Sequence, residues 1–200
     1  VAMLRTFAPL TTLAKMTEQV FVGGIEVTAD NAADVLGDGN VSYDKYTKTL
    51  TVKSTGIYNT YDTEEGGYGI YSNGDLNVAL DGNVYLDLYS TETKDYIAGI
   101  EAKGDLTVTG EGGLSCKIPP ANDFAAGLVA GGSLTMDVSI DQEMMFGPTG
   151  FTMIDVSKAP ESYVFVSENI NLVLGHAPIE VQARTAVFST TPTLTNFDLT

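Results

Sequence analysis

The chain has 200 residues, enough for one sizeable core or one elongated array. Hydrophobic residues make up 44% and charged residues 18%, which excludes a chain kept disordered by its composition. The net charge is −16 and no two of the ten Lys and Arg residues are adjacent, so there is no basic footprint for nucleic acid, and an anionic membrane surface would repel the chain.

Residues 1–19, VAMLRTFAPLTTLAKMTEQ, are mildly apolar but broken by Pro9. No run in the chain reaches the roughly 20 apolar residues of a membrane span. The opening also lacks a basic stretch followed by a continuous apolar one, so it does not read as a secretory signal, which in an exported protein would lie upstream. Residues 1–19 predict an irregular cap or linker, with Leu10–Thr17 as a short helix over the open end of the domain. Residues 20–200 predict one repeat domain. Within it, Leu36-Gly37-Asp38-Gly39-Asn40 predicts a turn before a strand at Val41. Thr49-Leu50-Thr51-Val52 predicts an early strand, with Leu50 standing 26 residues before Leu76.

Three segments then share the frame G-[IL]-x-x-x-G-[DS]-L: residues 69–76 (GIYSNGDL), 99–106 (GIEAKGDL) and 127–134 (GLVAGGSL). Their final leucines stand 30 and then 28 residues apart. Each frame runs into alternating apolar residues: Leu76, Val78, Leu80; Leu106, Val108; Leu134, Met136, Val138, Ile140. Period-two alternation predicts a strand with one buried face. Gly74 and Gly104 predict tight turns with positive φ. Second strands follow at Val84–Leu88 and Leu114–Ile118, where Cys116 shares parity with Leu114 and Ile118 and reads as a small buried hydrophobe. A lone cysteine forms no intrachain disulfide. Later rungs are predicted at Asn169–Leu174, Ile179–Val181 and Thr185–Phe188.

One unit of this kind cannot bury its own apolar face, whereas stacked units make a continuous core. The expected fold class is all-β: a single-stranded right-handed parallel β-helix, or solenoid, with an irregular N-terminal cap. A propeller is the alternative, but it needs four strands per blade and more residues than three units offer. Leu76, Leu106 and Leu134 should form one inward column, and Ile70, Ile100 and Leu128 another.

Tyrosine placement carries the functional signal. Nine of the ten tyrosines lie between residues 43 and 96, while no Phe occurs from 22 to 123. A buried ring needs no hydroxyl, so the bias predicts rings with polar tips at a surface. The densest patch is Tyr58, Tyr61, Tyr68 and Tyr71, interleaved with Asp62, Glu64 and Glu65. Rings can stack on the apolar faces of sugars while carboxylates bond their hydroxyls. The plainer reading of the same residues is a cross-strand ladder that covers the sheet. Acidic clusters at Asp62-Thr63-Glu64-Glu65 and at Asp34, Asp38 and Asp44 make Ca²⁺ a candidate ion, although neither fits D-x-[DN]-x-[DN]-G. No H-E-x-x-H, G-x-S-x-G, P-loop or C-x-x-C motif occurs, and a β-helix lyase would want a base such as Arg184 beside calcium.

Residues 20–28 (VFVGGIEVT), 34–39 (DVLGDG), 41–44 (VSYD) and 49–52 (TLTV) resemble the opening of repeat domains on bacterial surface proteins. With the frames that follow, roughly residues 20–140 resemble the carbohydrate-binding right-handed parallel β-helix family of bacterial cell surfaces. That resemblance implies a secreted or surface-bound, non-catalytic module for a cellulose- or pectin-like polysaccharide, with calcium in some members. A stalk or adhesin module without a glycan ligand is the competing expectation.

Overall fold

The computed structural model describes residues 17–89, 93–138, 152–155, 160–174, 179–182, 185–188 and 191–195. The expected helix at Leu10–Thr17 falls almost wholly outside these residues, as does Arg184. Every regular element among them is a strand. In chain order these are β1 (Val20–Val22), β2 (Ile25–Glu26), β3 (Val41–Asp44), β4 (Thr49–Ile57), β5 (Tyr61–Asp62) and β6 (Gly67–Ser72). The next are β7 (Leu76–Asp87), β8 (Lys94–Ala102), β9 (Leu106–Gly110), β10 (Leu114–Lys117), β11 (Ala121–Ala130) and β12 (Ser133–Val138). The last are β13 (Thr152–Asp155), β14 (Glu161–Val166), β15 (Asn169–Leu174), β16 (Ile179–Gln182), β17 (Thr185–Phe188) and β18 (Thr191–Thr195).

The strands form two sheets, both mostly parallel. In the first, β6, β8, β11, β14 and β17 lie side by side in parallel. The second is held together by two long strands. The first half of β7 pairs with β9 (Leu76↔Leu106), and its second half pairs with β10 (Val84↔Leu114). From β7 onward the second sheet therefore runs as two files: β9, β12, β15 and β18 in one, and β10, β13 and β16 in the other. The corner between them carries Gly82 (φ 120°) and Gly110 (φ 123°), a backbone conformation open to glycine. A Cβ at Gly110 would also run into the backbone of Leu80 in the neighbouring coil.

From β6 onward the chain visits the three files in turn, with β7 serving two of them, and the path then repeats. The inward columns follow the repeat. Leu76, Leu106 and Leu134 pair residue for residue, and Ile170 extends the column. Ile70, Ile100 and Leu128 pair likewise and continue to Phe165. All of these side chains are buried, as is Cys116.

Three local expectations need correction. Leu50 pairs with Val78, 28 residues on, and not with Leu76. The two-residue shift keeps every side chain of β4 on its face, so alternation could not detect it. Gly74 and Gly104 are not among the glycines with positive φ. Their turns are stacked, and a Cβ at Gly104 would strike Asp75 of the coil before it. Finally, the strands before β4 do not stack in parallel. β3 runs antiparallel to β4, and β1 antiparallel to β6. Only four residues separate β3 from β4, and so short a connection can return only antiparallel, since a parallel return needs a long crossover. These strands cover the first edge of the parallel array.

Candidate functional site

The seven residues singled out by sequence do not form one surface. β5 and β6 pair Tyr61 with Tyr68, and β1 lays Phe21 opposite Tyr71. The Phe21 and Tyr61 rings stack at 3.7 Å between centroids, with planes 9° apart. Tyr61 and Tyr71 lie 5.3 Å apart, and Tyr68 and Tyr71 4.9 Å. Tyr68 is buried, with 1% of its surface exposed. The row then climbs the first sheet from coil to coil: Tyr68 to Tyr96 at 5.7 Å, Tyr96 to Phe124 at 5.2 Å, and Phe124 to Tyr163 at 5.1 Å. Tyr61, Tyr68 and Tyr71 thus belong to a ladder of mutually packed rings.

Beneath the ladder lies a carboxylate that sequence reasoning missed. Glu101 is 3% exposed, sits opposite Tyr71, and accepts a hydrogen bond from the Tyr96 hydroxyl. Lys103 completes the group with its Nζ 2.5 Å from Glu101 Oε1. The same ammonium lies 3.9 Å from Glu65 and 6.0 Å from the centre of the Tyr71 ring. Burial, then the Glu101 charge, pushes the Tyr96 and Tyr68 phenols above the usual range. Both oxygens of the buried carboxylate are thus engaged, Oε2 by the Tyr96 hydroxyl and Oε1 by Lys103. Its sequence signal is weak, because Glu101 occupies an ordinary variable position of the frame.

The acidic candidates are engaged one at a time. Asp62 accepts from the Thr60 hydroxyl and lies 3.7 Å from Lys94 Nζ, and Glu64 is exposed. Asp34 accepts from the Gly39 N–H, Asp38 from the Asn40 N–H and Asp44 from the Tyr46 N–H. These bonds hold the Asp38 and Asp44 carboxyls below the usual range and mark the segment as a series of turns. Among the described residues no three His, Cys, Asp or Glu side chains gather where they could hold an ion.

Tyr58 goes elsewhere. It is 51% exposed and stacks on Tyr89, which is 63% exposed, with centroids 6.3 Å apart and planes 23° apart. The two residues are tied through the backbone, since the Tyr89 N–H donates to the Tyr58 carbonyl. The Tyr89 hydroxyl donates to Asp87. Tyr58 folds back over Gly56, where a Cβ would overlap its ring. Gly56 is the register partner of Tyr85, itself 51% exposed. Tyr58, Tyr85 and Tyr89 therefore share one outer corner of the fold. Tyr85 was legible in the alternation of Val84-Tyr85-Leu86, which turns it outward, while Tyr89 lies past the end of the strand, where alternation no longer applies. In comparison with known proteins, no family model, no curated protein and no solved structure matches this chain.

Proposed function

We propose that the chain is a right-handed, single-stranded β-solenoid acting as a non-catalytic glycan-binding module of an exported bacterial surface protein. The three-file path supports the solenoid, since each return to a file is a crossover between parallel strands, and such crossovers are right-handed in about 98% of cases. One observation carries the binding reading. Five large apolar side chains are exposed among the described residues, and three of them, Tyr58, Tyr85 and Tyr89, are rings brought to one corner. A ring held on a rigid array loses little freedom when a sugar stacks on it.

Calcium enters as a bridging ion. A polymer of uronic acids would meet a net charge of −16 and needs divalent ions between its carboxylates and those of the protein. The test is affinity electrophoresis and a glycan array, each with and without calcium. Retention on a plant or microbial polysaccharide is expected. Silence against all of them would favour the competing role, a structural stalk or adhesin module. The packed ladder from Phe21 to Tyr163 supports that role, because it uses rings for cohesion along the array.

A further inference from the structure

We infer that the ligand platform is the corner formed by Tyr58, Tyr85 and Tyr89, and that it takes a single chain of a neutral polysaccharide laid across the coils. This rests on the glycan-binding reading above and narrows it to one surface and one substrate class. Tyr85 and Tyr89 end one coil, and Tyr58 ends the coil before it, so a ligand touching all three must cross from coil to coil. Adjacent coils stand about 4.8 Å apart, which sets the step between ring contacts along the crossing. The next coil continues the same outer line with Ser115, the register partner of Tyr85, and Lys117, the register partner of Asp87. Both present polar groups where the line of rings ends.

The charges at this corner select a neutral chain. Lys117 stands in register between Asp87 on one side and Asp155 on the other, so this end of the site carries no excess of positive charge, while the chain as a whole carries −16. A polyanion gains nothing at the corner and is repelled by the rest of the surface. Asp87 already accepts from the Tyr89 hydroxyl. A carboxylate has further lone pairs with which to accept from sugar hydroxyls. The packed ladder offers no such platform, since Tyr68 is buried and Tyr61 is stacked on Phe21.

The experiment is affinity electrophoresis in gels containing soluble neutral glucans or polygalacturonate, without added calcium. Four proteins are compared: the parent, Y58A/Y89A, Y58F/Y89F, and Y46A as a control. Tyr46 is 87% exposed in the β3–β4 turn, with Lys45 over its ring. The parent and Y46A are expected to be retarded by a neutral glucan and not by polygalacturonate. Y58A/Y89A should bind about tenfold more weakly or less well still, as loss of central aromatic contacts does. Y58F/Y89F should keep most of the affinity, because the rings remain. Equal melting temperatures for the parent and Y58A/Y89A would place that loss at the surface. Undiminished retardation of Y58A/Y89A would overturn the assignment to this corner and leave glycan binding standing. Retardation by polygalacturonate alone would overturn the neutral substrate class, and a parent that no glycan retards would overturn both readings.

Discussion

Asp105 ties two coils together with one oxygen. Its Oδ1 accepts the Ser133 N–H at 2.7 Å, and one coil earlier Asp75 Oδ1 accepts the Asp105 N–H at 3.1 Å. Lys48 closes the lower end, with its Nζ 3.0 Å from Asp75 Oδ2. The Asp105 N–H, and then Lys48, hold the Asp75 carboxyl below its usual range. Asp105→Ala should leave the Ser133 N–H without its partner and cost about 0.5–1.5 kcal/mol, and Asp105→Asn, which keeps an acceptor, should cost less. Urea midpoints of the two variants check this, and equal losses would count against the bond. The Asp or Ser at this place in the frame was legible as a repeated residue, but its work was not, because the N–H it serves lies 30 or 28 residues further along the chain. The same holds for the first glycine of the frame. A Cβ at Gly99 would sit 2.7 Å from the Gly127 carbonyl oxygen and overlap the Cys116 sulfur. Gly99→Ala should therefore destabilise by about 1–3 kcal/mol, as overpacking does. Adding Cys116→Ala should recover only part of the loss, since the carbonyl contact remains.

Among the strands, β9 has the simplest energetics. Leu106 is fully buried between Leu76 and Leu134, so Leu106→Ala removes the middle of a column and should cost about 2–5 kcal/mol by denaturant unfolding. This column was legible because a coil of nearly constant length puts like residues in register. The aromatic ladder was only half legible. The clustering of tyrosines showed in composition, but the covering of Tyr61 and Tyr71 depended on β1, which brings Phe21 onto them by an antiparallel return. The ladder and the β3–β4 pair also set an alkaline limit. Burial, then Glu18, raises the Tyr43 phenol to about 12, and burial with Glu101 raises Tyr96. These groups have higher pKa values folded than unfolded, so their contribution is fully present below about pH 10 and is lost as pH rises through the folded values. Unfolding midpoints should fall as pH rises from about 10 to about 12, with late phenolate absorbance in the folded protein. A flat profile over that window would show these phenols to be no more stabilised than in the unfolded chain.

For the whole molecule, parallel stacking settles the core and leaves charge as the largest unbalanced term. The repeat spacing made the three-file path legible, while the antiparallel cover over its first edge was not, because hairpin strands alternate just as rungs do. The charge of −16 at pH 7 is spread over an array whose described ion pairs involve only Lys48, Lys94 and Lys103. Self-repulsion of this kind weakens the compact state and is screened within about 10 Å at 0.1 M salt. Raising NaCl from low salt to about 0.5 M at pH 7 should therefore raise the melting temperature. A gain of about 1 kcal/mol would appear as about 2–4 °C in a chain of this size. The gain should shrink at about pH 5, where the net charge falls toward the pI of about 4.1. Asp38, Asp44 and Asp75 leave that comparison undisturbed: their folded pKa values lie below the ordinary 3.8, so what they contribute is present above that value and is lost only as pH falls through the depressed ones. A melting temperature that falls with salt at pH 7 would mean that the surface ion pairs outweigh the repulsion, and that the acidic surface is arranged to favour the fold.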